Sequence, residues 1–233
     1  MTARRPSAAR QLRALLLKDL RLELRTRDTA AAMVLFSVLV MTIFQFAFGT
    51  RLPDLTPLTG GILWAVIALT AVLGVGRTWV PERDQRVLDG ILVAPVPRQV
   101  LLLSKVGAIF AYLVAVEIIA VPLVGLFFVR GQPLEDVALV ALVCVLANLC
   151  IAILGSLLAC LALFSRAREV LLPVLFLPSL LPVVIAAAGA TYSAWGERTN
   201  DFADYRGYCV FLGVYAVIFA LVAYATYDHV FDD

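Results

Sequence analysis

The sequence predicts an all-α integral membrane protein with six transmembrane helices and with both termini in the cytoplasm. Three observations lead to this prediction: the composition, a set of long apolar segments, and the uneven distribution of Lys and Arg. Of the 233 residues, 62% are hydrophobic and only 15% are charged, and the mean hydropathy is +0.95. Soluble domains contain roughly 25% charged residues. A soluble protein with buried helices is therefore disfavoured, because too little polar surface would remain to cover it.

Six segments are long and apolar enough to cross a bilayer. Their expected bounds are 30–48, 60–76, 106–129, 137–164, 170–196 and 207–227. Of the 19 basic and 17 acidic residues, only Glu117 lies inside them. A hydrocarbon core of about 30 Å requires roughly 20 apolar residues in a helix, and lipid offers no partner to open backbone groups. We therefore expect residues 30–233 to form a single transmembrane domain of six helices.

The distribution of positive charge predicts the orientation of these helices. Taken in chain order, the segments outside the spans hold 8, 1, 5, 1, 2, 2 and 0 Lys and Arg. The richest are segment 1–29 and the 77–105 loop. Because positive charge favours the cytoplasmic side, both termini are predicted to lie inside. The first apolar run begins only at Ala30, so we expect a retained span rather than a cleaved signal peptide.

The segment 170–196 is the least regular of the six. It contains Pro173, Pro178 and Pro182, and each proline removes a backbone donor and kinks a helix. One interpretation is a continuous, kinked span. The other is a broken helix, or a span followed by a re-entrant turn, which is tolerated only where the backbone is buried in protein or lines a cavity.

Within segment 1–29, residues 8–27 predict an amphipathic helix. One face of this helix contains Leu12, Leu15, Leu16, Leu20 and Leu24, and the other contains Arg10, Lys18, Arg21 and Arg25. Such a helix suits the cytoplasmic headgroup layer, where basic residues meet anionic lipid. A plain basic flank that only sets the topology is the alternative. Asp19 and Glu23 fall on the leucine face, so we expect them to pair with basic neighbours or to meet another part of the protein.

The longest predicted cytoplasmic loop contains a second, shorter candidate helix. Residues 82–92 read ERDQRVLDGIL; Pro81 precedes them, and Glu82 and Asp84 occupy the first turn, where carboxylates complement the helix dipole. A helix of this length is unstable alone in water. It therefore requires a docking surface, either on the protein's own body or on a partner. A solvated connector is the alternative interpretation.

Glu117 lies near the middle of its span, where a carboxylate costs several kcal/mol unless it is paired, protonated or facing water. We expect it to be protonated, or hydrogen-bonded inside the bundle to a group such as Tyr112 or Asn148. Glu117 and Asn148 are thus the intramembrane polar candidates. A neutral residue that only packs and forms hydrogen bonds is the alternative.

Several kinds of chemistry are not expected. There is no GxxxxGK[ST] phosphate-binding loop, so ATP is not expected to bind to this chain. The chain has one histidine, His229, and four cysteines that form no CxxC pair. We therefore expect the cysteines to be small apolar packing residues and predict no metal site. No nucleophile set can be assembled within the spans, so we expect neither an enzyme nor a nucleic-acid partner.

Five stretches together resemble the CcmB family of ABC-2 type permease subunits, which belongs to the cytochrome c maturation system. They are KDLRLELRTRD (18–28), GRTW (76–79), VLDGILVAPVPRQVLLLSK (87–105), Glu117 followed by Pro122, and the proline-punctuated stretch 171–187. The resemblance covers essentially the whole chain. It departs from the family pattern at Gln85 and Arg86, where an Asp and a Gly are expected, and at Asp89, where a Glu is expected.

The resemblance implies an ABC-2 type exporter fold in a bacterial inner membrane, with the short helix at 82–92 acting as a coupling helix. A separate CcmA-like ATPase would bind ATP and dock on Glu82, Asp84, Arg86 and Asp89. CcmC-like and CcmD-like membrane subunits would handle haem and pass it to a periplasmic haem chaperone. The resemblance does not settle whether this chain itself moves haem, but because the spans hold no histidine we expect it to transmit motion rather than ligate haem directly. A general ABC-2 exporter of a lipid, drug or polysaccharide is the alternative, followed by a membrane scaffold without transport activity.

Overall fold

The computed structural model is helical throughout the part of the chain that it describes. That part comprises residues 7–26, 28–49, 52, 55–78, 97–128, 137–162, 165, 167–195 and 202–230. Its helices are α1 (Ala8–Thr26), α2 (Asp28–Phe48), α3 (Thr59–Thr78), α4 (Arg98–Phe128), α5 (Val137–Ala162), α6 (Arg168–Trp195) and α7 (Phe202–Val230), with a 3₁₀ turn at Thr56–Leu58 before α3.

The six helices α2 to α7 are long and apolar enough to cross a membrane. This confirms the predicted fold class of six transmembrane helices. The orientation of the termini stays a prediction, as does the coupling helix, since residues 82–92 lie outside the described residues.

The helix that contains the third predicted span begins before that span. We placed its start at residue 106 and assigned Lys105 to the preceding loop, but α4 already begins at Arg98. Pro97 precedes the helix, and the Val100 amide donates to the Pro97 carbonyl oxygen at 2.9 Å. Proline suits a helix start because its fixed φ is already helical. The sequence suggested a solvent boundary at Lys105, whereas this side chain is only 1% exposed.

The proline-rich segment is one continuous helix. Within residues 168–195, α6 runs without interruption through Pro173, Pro178 and Pro182. This corresponds to the first of the two interpretations left open above. Side chains supply extra hydrogen bonds to the backbone here: Ser179 Oγ donates to the Leu175 carbonyl at 2.8 Å, and Tyr215 Oη of α7 donates to the Ser179 carbonyl at 2.6 Å. Such donors help to satisfy the backbone of a proline-containing membrane helix.

Helices α3 and α5 form the centre of the bundle, and α2 and α7 are its most exposed members. In α2, Met33, Ser37 and Met41 recur at every fourth residue and are buried, whereas Leu35, Leu39 and Ile43 are exposed. One stripe of a helix therefore faces the protein, and the other forms an apolar outer surface suited to lipid. In the centre, the buried indole Nε1 of Trp64 donates to Thr191 Oγ1 at 2.9 Å and joins α3 to α6.

Small residues permit the closest helix contacts. A Cβ added at Gly60 of α3 would overlap the backbone carbonyl oxygen of Ala188 in α6. A Cβ added at Gly155 of α5 would lie 2.5 Å from a methyl group of Val75. Membrane helices associate mainly through such close packing, because water contributes no hydrophobic force between them.

Candidate functional site

The candidate site lies at the end of the bundle where α1 packs against the membrane helices. It consists of Lys105, Asp19 and the backbone carbonyl of Thr78, and we call it the joint. The leucine face of α1 packs on α4, and Leu16 Cδ1 would lie 3.1 Å from a Cβ placed on Gly107. Leu12, Leu15, Leu16 and Leu20 are partly buried, whereas Arg10, Lys18, Arg21 and Arg25 are exposed. The predicted amphipathic geometry is therefore present. Contact of the four basic side chains with lipid stays a prediction.

Asp19 is one of the two carboxylates that interrupt the leucine face of α1, and its contacts account for its position there. Its side chain is buried, with 7% of its surface exposed. Oδ2 lies 3.1 Å from the Lys105 ammonium nitrogen of α4, and Oδ1 lies 3.1 Å from Lys18 Nζ. Asp19 therefore pairs with a basic neighbour and also meets another part of the protein, so both expected alternatives occur together.

Lys105 joins three helices at one point. Its ammonium donates to Asp19 Oδ2 at 3.1 Å and to the backbone carbonyl oxygen of Thr78 at 3.2 Å. Thr78 is the last residue of α3, where carbonyl groups lack helical partners and the helix dipole favours a cation. A buried cation is tolerated when it is paired and hydrogen-bonded in this way. The ammonium thus ties α1 to the end of α3 and to the first turns of α4.

This joint flanks the segment predicted to dock an ATPase. Residue 78 ends α3 and belongs to the joint, and residue 98 begins α4 seven residues before Lys105, so the 79–96 segment connects two helices that meet at the joint. The predicted docking residues Glu82, Asp84, Arg86 and Asp89 lie outside the described residues, and their role stays a prediction.

Glu23 makes a separate contact between α1 and the first span. Its Oε1 accepts a hydrogen bond of 2.7 Å from the backbone N–H of Ala30. Ala30 lies in the first turn of α2, where N–H groups have no intrahelical acceptor. A carboxylate at this position also complements the positive end of the helix dipole. Glu23 therefore caps α2 and fixes the angle between α1 and α2.

Glu117 and Asn148 form a second polar site inside the bundle. Both side chains are buried, and Asn148 Nδ2 of α5 donates to Glu117 Oε2 of α4 at 2.7 Å. Asn148 was one of the two partners expected from the sequence. The Cys144 side chain lies next to the carboxyl group. Within the described residues, neither Glu117 Oε1 nor Asn148 Oδ1 has a hydrogen-bond partner of regular geometry.

The joint at Lys105 was not predicted from the sequence, although both Asp19 and Lys105 are charged residues in apolar surroundings there. Asp19 is one of two acids on the leucine face, and Lys105 is a lone cation in the run VLLLSKVGAIF. Each is unfavourable alone in an apolar environment, and opposite charges could have been matched on that ground. Thr78 could not have been found, since only its backbone carbonyl takes part.

Six membrane-length helices define a multi-pass membrane protein, and a buried ion pair joins the amphipathic helix α1 to one of them. Within that class, the family model described as CcmB protein matches residues 10–230. The chain therefore belongs to the CcmB family, as its sequence motifs suggested.

Three relatives agree with this assignment, and each is called "Heme exporter protein B". The protein of Bradyrhizobium diazoefficiens is 27% identical over 95% of this chain and 99% of its own length. The protein of Rhodobacter capsulatus is 28% identical over 76% of this chain and 80% of its own. The protein of Pseudomonas aeruginosa is 26% identical over 76% of this chain and 78% of its own.

Proposed function

We propose that this chain is the membrane subunit of an ABC-type complex for haem export in cytochrome c biogenesis. A separate cytoplasmic ATPase hydrolyses ATP, and this subunit transmits the resulting motion to the membrane. Membership of the CcmB family and relatives called "Heme exporter protein B" support the assignment. The structural observation that supports a transmitting role most directly is the buried joint between Lys105, Asp19 and the Thr78 carbonyl.

The joint suits transmission because it couples the helices on both sides of one loop. A force applied to the 79–96 segment acts on the end of α3 and on the start of α4. Separating the helices would leave the buried charges without their partners, so these helices and α1 move together rather than separately. The motion of the ATPase then reaches the headgroup layer through α1 and the membrane interior through α4.

The second polar site, formed by Glu117 and Asn148, is connected to the joint through α4. Helix α4 extends from the joint at Lys105 to Glu117, where Asn148 connects it to the central helix α5. Twelve residues of helix span about 18 Å, so a single rigid element links the two polar sites. Further membrane subunits of the complex take up the haem and pass it to a periplasmic chaperone. The ATP-dependent step serves the delivery of haem or the release of the loaded chaperone.

The docking part of this proposal is tested by charge reversal in the intact complex. The double variant Glu82→Arg plus Asp89→Arg is expected to lose the ATPase on purification in mild detergent and to lower the level of c-type cytochromes. Glu169→Arg is the control, because Glu169 is an exposed acid in the first turn of α6 and lies outside the predicted docking segment. This control variant should keep the ATPase on purification and leave the level of c-type cytochromes unchanged.

Two outcomes would count against the proposal. If the double variant kept the ATPase and normal cytochrome levels, docking on residues 82–92 would be wrong. If the ATPase were lost while c-type cytochromes stayed normal and the export of another compound failed, the chain would instead be a general ABC-2 exporter subunit.

A further inference from the structure

A lateral cleft between α6 and α7 lies apart from both polar sites. Its volume is about 500 Å³. The lining residues are Pro182, Ile185 and Ala186 from α6 and Asp204, Gly207, Tyr208 and Phe211 from α7. Apart from Asp204 and the phenol of Tyr208, this lining is apolar.

The cleft extends along α7 from the first turn of this helix into its apolar part. Asp204 is exposed in the first turn of α7, where the span begins. Phe211 follows seven residues later, which places it about 10 Å further along the helix axis. The cleft therefore has one carboxylate at its mouth and apolar and aromatic walls below. This polarity gradient matches that of an amphiphile.

Two glycines shape the cleft. At Gly189 of α6, an added Cβ would lie 2.6 Å from Tyr208 Cζ, so the phenol ring lies directly against the α6 backbone. At Gly207, an added Cβ would meet no atom within 4 Å, and the open space beside it belongs to the cleft. A side chain at position 207 would therefore enter this space without a clash.

The carboxylate at the mouth favours a ligand with an ammonium group. Asp204 has no ion-pair partner among the described residues. A carboxylate attracts an ammonium group and accepts a hydrogen bond from it. A haem would fit less well, because its propionates would meet the Asp204 carboxylate and the lining offers no histidine to the iron.

We propose that this cleft binds a phospholipid with a primary ammonium headgroup, with an acyl chain between α6 and α7 and the ammonium beside Asp204. Phosphatidylethanolamine has this chemistry. Phosphatidylcholine cannot donate a hydrogen bond from its quaternary ammonium, and phosphatidylglycerol is anionic. The headgroup therefore discriminates among lipids with the same chains. This inference does not depend on the proposed transport function.

The headgroup part is tested by native mass spectrometry of the full chain in mild detergent. The chain is titrated with phosphatidylethanolamine, phosphatidylcholine and phosphatidylglycerol of identical acyl chains. Wild type is expected to prefer phosphatidylethanolamine by about threefold, which is the scale of an exposed ion pair. Asp204→Asn should abolish the preference and still bind lipid. Because Asp204 is exposed, this variant tests the headgroup without disturbing the packing.

The location is tested with two glycines of α7. Gly207→Leu fills the cleft and is expected to remove most of the tightly bound lipid. Gly213→Leu is the matched control, since a Cβ there also meets no atom within 4 Å but the residue does not line the cleft. Both variants should elute as a single species of wild-type size, and Asp204→Asn supplies an independent test if Gly207→Leu fails to fold.

Three outcomes would overturn the proposal. In the first, Gly207→Leu keeps the same lipid adducts as Gly213→Leu, so lipid binds elsewhere. In the second, wild type and Asp204→Asn show the same relative affinities for the three lipids, so Asp204 does not select the headgroup. In the third, Gly207→Leu converts a dimer into a monomer with unchanged lipid adducts, so a second copy of the chain covers the cleft.

Discussion

The Lys105 ammonium lies 3.1 Å from Asp19 Oδ2, across 86 residues of sequence, and both side chains are buried. The same carboxylate also meets Lys18, whose side chain is 41% exposed. One acid thus has two lysine partners in different environments. The burial of Lys105 and the exposure of Lys18 allow the contribution of each contact to be separated.

Lys105→Met is expected to lower the free energy of unfolding by about 3 kcal/mol, because Asp19 would lose its buried counter-ion. Methionine keeps most of the side-chain volume, so loss of the ion pair dominates over loss of packing. Thermal unfolding of the purified chain in detergent measures the change. Lys18→Met is the control and should cost less than about 1 kcal/mol, as exposed pairs do. Equal effects of the two variants would contradict the assignment of Lys105 as the main partner.

The double variant Asp19→Leu plus Lys105→Met should be more stable than Lys105→Met alone. It removes both charges, so no unpaired ion stays buried. If the joint transmits motion, the double variant will fold and bind the ATPase but will produce fewer c-type cytochromes for each ATP hydrolysed. Normal cytochrome production in a stable double variant would show that α1 need not be joined to α4 by charge.

Glu23→Ala is expected to destabilise α2 by about 1 kcal/mol, the usual cost of losing an N-terminal cap. The Ala30 N–H would lose its acceptor. Glu23→Gln is the control, since its amide oxygen can still accept the hydrogen bond, and it should cost only a few tenths of a kcal/mol through the helix dipole. Hydrogen exchange of the Ala30 amide measures the effect locally. Slow exchange in Glu23→Ala would contradict the cap.

The sequence predicted the six spans because the relevant pattern is local. Charged residues are absent from long apolar runs apart from Glu117, and a bilayer imposes the length directly. The same local reading could not place the start of α4, which lies eight residues before the predicted span. Lys105 looks like a boundary when only its neighbours in sequence are considered, and becomes an interior residue once Asp19 and the Thr78 carbonyl are placed beside it.

The candidate sites were predictable to different degrees. Glu117 stands out as the lone charge in a span, and Asn148 is a polar residue of another span that could reach it. The cleft at Gly207 could not be predicted, because it depends on how α6 and α7 pack. The continuity of α6 also required the structure, since three prolines are compatible with either a kinked or a broken helix.

Glu117→Leu is expected to lower stability by about 1–3 kcal/mol, because the buried amide of Asn148 would lose its acceptor. Glu117→Gln should be tolerated, since its amide can accept from Asn148 Nδ2 and can also donate to Asn148 Oδ1, which has no partner among the described residues. Unfolding in detergent compares the two. Ser156→Ala is a control in α5, because the buried Ser156 hydroxyl makes no hydrogen bond within the described part of the chain and its loss should cost little. A Glu117→Gln variant as unstable as Glu117→Leu would contradict the hydrogen-bond account.

Neighbouring glycines in α3 provide a final test of the packing between α3 and α6. Gly60→Ala should destabilise the chain, because its Cβ would overlap the backbone oxygen of Ala188, which cannot move without shifting α6. The expected cost is about 1–3 kcal/mol, the usual range for overpacking. Gly61→Ala is the matched control: its Cβ meets no atom within 4 Å, and alanine favours a helix over glycine by about 1 kcal/mol. The two variants should therefore shift the unfolding temperature in opposite directions, and equal shifts would show that α3 and α6 are not in close contact at this point.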